Sequence, residues 1–80
     1  MKVYVFHDYD GEICSVSTDF ITGLSFAFKE LCGLTHSHVG NYFYVCDTDT
    51  KEVFYAGFVS PDKMWNAFGG MVSCQICELH

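Results

Sequence analysis

Two stretches of this chain carry the same order of apolar and polar positions. Residues 3–16 read Val-Tyr-Val-Phe-His-Asp-Tyr-Asp-Gly-Glu-Ile-Cys-Ser-Val, and residues 42–56 read Tyr-Phe-Tyr-Val-Cys-Asp-Thr-Asp-Thr-Lys-Glu-Val-Phe-Tyr-Ala. Each is an apolar run, then Asp-x-Asp, a polar step, a Glu and a second apolar run. Asp8 and Asp10 map onto Asp47 and Asp49, and Glu12 onto Glu52 one step further along. A helix-like stretch follows each copy. The pattern predicts a duplicated hairpin-plus-helix unit, with repeats at 1–33 and 40–70.

Val3 to Asp8 is apolar on both alternating faces, as a central strand should be. Asp10-Gly11 is a hairpin turn signal, because Gly accepts the positive φ such turns need. Glu12 to Ser17 then returns as a second strand. Residues 19–32 fit a helix, with Ser17, Thr18 or Asp19 as the cap and Gly33 as the stop. At 100° steps, Phe20, Leu24, Ala27, Phe28 and Leu31 form one stripe, flanked by Ile21 and Cys32. Phe26 falls on the opposite face, covered by another element or free for a partner.

Leu34 to Gly40 reads as a loop carrying His36 and His38. If extended, it would place both imidazoles on one side; loop His residues are ordinarily solvated. Tyr42–Cys46 and Glu52–Val59 form the second hairpin, joined through Asp47-Thr48-Asp49-Thr50. Ser60-Pro61 starts a second helix, with Met64, Trp65 and Phe68 on the face of Pro61, and Gly69-Gly70 stopping it. Residues 71–79 fit a strand by alternation or a helix by the spacing of Val72, Ile76 and Leu79; the Gly pair before them favours a strand. The order ββα-ββα-β predicts one α+β domain over 1–80, an antiparallel sheet of four to five strands with two helices on one face.

Composition changes this picture in two places. Half of the 80 residues are hydrophobic and 18% aromatic, while only 18% are charged. An average domain is about 25% charged. Either the core is dense in rings or a partner covers apolar surface, with a homodimer as the simplest cover. Net charge is −6, and all four basic residues are Lys. Without Arg to clamp phosphates and bases, direct nucleic-acid binding is not expected. An acidic mimic of nucleic acid is an alternative, but the acids divide evenly between the halves and form no run. No stretch approaches the ~20 apolar residues of a membrane span. The N-terminus meets His7, Asp8 and Asp10 too early for a secretory signal. Five cysteines, an odd count, read as reduced thiols in a cytoplasm.

The segment Val5-Phe6-His7-Asp8-Tyr9-Asp10-Gly11 resembles the first motif of haloacid-dehalogenase-type phosphatases. There a hydrophobic strand ends in Asp-x-Asp-Gly, one carboxylate acting as nucleophile and the other as general acid. The resemblance covers these seven residues. That family needs a parallel nucleotide-fold core and a distant Asp and Lys, which 80 residues do not supply. The second Asp-x-Asp favours turn chemistry in both places, since Asp side chains bond nearby backbone amides. A divalent site from Asp8, Asp10 and Glu12 lacks the further ligands of an EF-hand. No catalytic residue is therefore assigned.

Cys74-x-x-Cys77-x-x-His80 is the metal-like signal. Thiolates and an imidazole suit zinc, with Cys14, His36, His38 or Cys46 as a fourth ligand. Against it stand the missing second knuckle and the terminal position of His80. A CxxC redox pair needs a following helix N-terminus, and none is expected. Packed thiols are the plainer reading.

Tyr4, Tyr9, Tyr42, Tyr44, Tyr55 and Phe26 exceed the needs of one thin core. Tyr42 and Tyr44 share one side of a strand, and Tyr55 could lie beside them. Tyr suits half-buried and interface positions. The expectation is a non-catalytic protein-binding module. Its surface is Tyr42, Tyr44 and Tyr55, with Phe26 and the acids Asp8, Asp10, Asp47 and Asp49 around it. Compact acidic chains of this kind are typical of small accessory proteins, including phage-encoded inhibitors of host proteins.

Overall fold

The computed structural model describes residues 1–31 and 33–79, without the side chains of Trp65 and Asn66. Cys32, the Trp65 ring and His80, all named above, lie outside the described residues. Strands β1 (Lys2–Asp8) and β2 (Ile13–Ser17) lead into helix α1 (Phe20–Glu30). Then come β3 (Leu34–Val39), β4 (Tyr42–Asp47) and β5 (Val53–Phe58). A 3₁₀ turn (Pro61–Lys63), a single α turn α2 (Met64–Ala67) and β6 (Val72–Glu78) complete the order.

The strands form two three-stranded antiparallel sheets, β2-β1-β6 and β3-β4-β5. This corrects the expectation of one four- to five-stranded sheet under two helices, and with it the duplicated ββα plan. The first cause is β6. It pairs with β1 along its whole length, from Lys2 opposite Glu78 to Asp8 opposite Val72, so the last strand closes on the first. The second cause is β3, read from sequence as a loop. Its alternation is present, but His36 and His38 occupy the inward positions where aliphatic residues were sought. Their rings lie nearly parallel to buried Phe43, at centroid distances of 5.9 and 5.1 Å.

Only one helix is of ordinary length. Asp19 caps α1, its carboxylate accepting from the Thr22 amide at 2.9 Å, which satisfies one of the orphan first-turn donors. The second expected helix is cut to a stub. Between Pro61 and the left-handed Gly69 and Gly70 there is too little chain to repay helix nucleation. Ser60 donates to the Asp62 carboxylate at 2.8 Å and makes no cap bond to the backbone.

Helix α1 ties the two sheets together. Its first turns pack on the first sheet, where Phe20 lies 5.7 Å from Tyr4 and 5.8 Å from Phe6. Phe28, nearer its end, meets Phe43 of the second sheet at 6.2 Å and Phe68 of the stub edge-on at 5.0 Å. Leu24 and Ala27 between them are fully buried. One continuous core results, from Phe6 through Phe28 to Val45 and Met64. Among the described residues no helix is long and apolar enough to cross a membrane.

Candidate protein-binding surface

The second sheet buries one face under α1 and leaves the other open. Alternation along β4 sends Phe43 and Val45 inward, both buried, and Tyr42 and Tyr44 outward. The register sets their neighbours. Val39, Ser37 and Thr35 on β3 lie opposite Tyr42, Tyr44 and Cys46. On β5, Phe58, Ala56 and Val53 lie opposite the same three. These nine side chains make the outer face, and none of them carries a charge. Phe58 is 77% exposed, Tyr42 42% and Tyr44 39%. The Tyr42 and Phe58 rings meet edge to face at 5.1 Å and 83°, the preferred geometry for an aromatic pair.

Tyr55 does not join Tyr42 and Tyr44. A register shift between Val45 and Cys46 leaves Phe54 as the extra residue, and Tyr55 pairs with inward-facing Val45. Its ring packs on Phe68 at 4.7 Å and its hydroxyl donates to the Phe58 carbonyl at 2.8 Å. The bulge also brings Val53 to the outer face. Phe58 and Val53 were missed because face membership on β5 depends on register. The alternation of Val53 or Phe58 alone is silent on which side faces Tyr42.

Phe26 is 53% exposed, with the Lys29 ammonium 5.4 Å from its ring centroid. It stands on α1, which packs against the opposite face of the sheet, so it does not border the Tyr surface. Together with Ser25, Thr22 and His38 it lines a shallow groove of about 370 Å³. Burial, with His38 and Lys29 nearby, pushes the His36 imidazole below its ordinary 6.5.

The four nominated acids do not ring the Tyr surface either. The first Asp of each Asp-x-Asp anchors its own turn. Asp8 Oδ1 accepts from the amides of Asp10 and Glu12 at 2.9 and 3.0 Å. Asp47 Oδ1 accepts from Asp49 and Thr50 at 2.8 and 2.7 Å, and those bonds hold its carboxyl below the usual range. Asp8 and Asp10, from the first sheet, then meet Asp47, from the second, and Glu30 at the end of α1. The four line one groove of about 520 Å³ with Leu34, Phe54 and Met71. Asp49 is not among its walls. Desolvation, with the fields of Asp8 and Glu30, raises the Cys14 thiol.

Cys74 and Cys77 sit three apart on a strand, so they point to opposite faces. Cys74 pairs with Phe6 and packs on the core, while Cys77 pairs with Val3 on the outer side. Burial, helped by Cys77, pushes the Cys74 thiol up to about 11, which keeps it protonated and a poor ligand at neutral pH. The third residue of that motif, His80, lies outside the described residues. Among the described residues no three His, Cys, Asp or Glu side chains are placed to hold a metal ion.

No family model, no curated protein and no solved structure matches this chain.

Proposed function

We propose that this protein is a non-catalytic protein-binding module, and that it binds through the outer face of the second sheet. One observation carries the reading: Tyr42, Tyr44 and Phe58 stand exposed together on a face without a charged residue. Aromatic rings are enriched in the cores of protein interfaces and charges are depleted there. A contiguous apolar patch of this kind marks an interaction site more often than an idle surface. Four cysteines remain free thiols, which supports placing the module in a reducing compartment, the cytoplasm.

The test is site-specific photo-crosslinking from position 44 in cells, with mass-spectrometric identification of the adduct. One defined protein adduct, lost when Tyr42 and Phe58 become Ala and kept when Val16 on the first sheet becomes Ala, supports the reading. Equal labelling of many proteins, insensitive to both changes, overturns it. Circular dichroism on each variant establishes that the fold is intact.

A further inference from the structure

We infer that the outer face of the second sheet takes a second copy of this chain, so the module's partner includes itself. The inference rests on the protein-binding reading above and names the occupant. Two copies each carrying −6 repel one another. They can approach closely only where contact removes no carboxylate from water, because a buried unpaired charge costs several kcal/mol. The face built by Tyr42, Tyr44, Val39, Val53 and Phe58 meets that condition.

Its polar atoms also suit a homotypic contact. The polar groups here are the hydroxyls of Thr35, Ser37, Tyr42 and Tyr44, with the Cys46 thiol beside them. A hydroxyl both donates and accepts, so identical faces can satisfy each other, whereas a row of carboxylates could not. An isologous two-fold contact needs this self-complementarity. Two such sheets stack about 10 Å apart with side chains interdigitated. The first sheet also has an outer face without acids, at Val3, Val5, Ile13 and Val16. It offers no aromatic ring, and rings bury roughly 150–250 Å² each.

Nine outward side chains fall short of the roughly 20–30 residues a side of a standard interface. The dimer is therefore weak and concentration-dependent. Salt distinguishes it from an ion-paired contact. Screening removes the repulsion between the two acidic bodies, so added salt strengthens association.

The experiment is sedimentation velocity of the full chain from about 10 µM to about 1 mM, at low salt and at about 0.5 M. NMR shifts are followed on dilution of the wild type. The expected result is a mass rising from 9.1 kDa toward twice that value, more so in high salt. Dilution shifts should concentrate at Ser37, Tyr42, Tyr44, Ala56 and Phe58. Tyr44→Glu and, independently, Phe58→Glu should weaken association at least about tenfold, and Val16→Glu should not. A wild-type chain that stays monomeric throughout, or a dimer lost on Val16→Glu alone, overturns the inference. A monomer that still gives the single face-dependent adduct in cells refutes self-association while leaving the protein-binding reading in place. Loss of both results refutes both.

Discussion

At Gly23 the backbone of α1 rests directly on a ring. A Cβ built there would lie 2.5 Å from Phe6 Cε2 and 3.0 Å from the Ser17 Cβ. Phe6 is fully buried and has no free volume to retreat into, so Gly23→Ala must lift the helix or turn the ring. Overpacking of that kind costs about 1–3 kcal/mol, against the small gain Ala brings to an exposed helix. Urea unfolding of the variant should show a loss in that range. His36 supplies the second residue-scale prediction. Its imidazole is depressed below 6.5 by burial, so the unfolded chain binds the proton more readily than the folded one. Its contribution is intact above pH 6.5 and is lost as pH falls from there through the lower folded value. The depressed carboxyls of Asp19, Asp47 and Asp62 act only near and below their ordinary 3.8. Stability measured between pH 7 and pH 5 should therefore decline, and His36→Gln should flatten that decline.

Among the elements, the two Asp-anchored hairpins differ at one backbone position. The first turn reaches its left-handed residue at Gly11 (φ +84°), the second at Lys51 (φ +65°). A side chain in that region costs roughly 1–2 kcal/mol. Glycine would relieve it while adding roughly 0.5–1 kcal/mol of unfolded-state entropy. Lys51→Gly should leave stability unchanged or raise it by up to about 1 kcal/mol, measured by thermal unfolding. Gly11→Ala should lower it. The Asp-x-Asp turns were legible from sequence because their bonds span two to four residues. The stub after Pro61 was overread for a complementary reason: start and stop signals are local, but a helix needs length between them.

For the whole molecule, α1 is the part that makes one core out of two sheets, and its C-terminal end adds a partial negative charge where four carboxylates already converge. The groove shared by Asp8, Asp10, Glu30 and Asp47 stores repulsion between parts that are distant in sequence. Glu30→Gln should raise the unfolding midpoint at low salt, and the gain should fade at about 0.5 M, where the Debye length is only a few ångströms. If the gain persists at high salt, the groove is not electrostatically strained. The same screening governs association through the Tyr42 face, so one salt titration reads both effects.

Sequence alone determined the local features: strands at Val3–Asp8 and Tyr42–Cys46, turns at both Asp-x-Asp motifs, a helix capped near Asp19, and alternation that puts Tyr42 with Tyr44. Each depends on contacts within a few residues or on a fixed side-chain period. Tertiary structure decided which strands share a sheet, because β1 and β6 meet across nearly the whole chain and no local signal encodes that pairing. It made β3 a strand, since His36 and His38 face inward only because the Phe43 ring is there to receive them. It turned Tyr55 inward and brought Val53 outward, because a single bulge inverts the parity of a strand. It also gathered Asp8, Glu30 and Asp47 into one groove and set Cys74 and Cys77 on opposite faces. Spacing in a sequence becomes distance in space only after register and curvature are chosen.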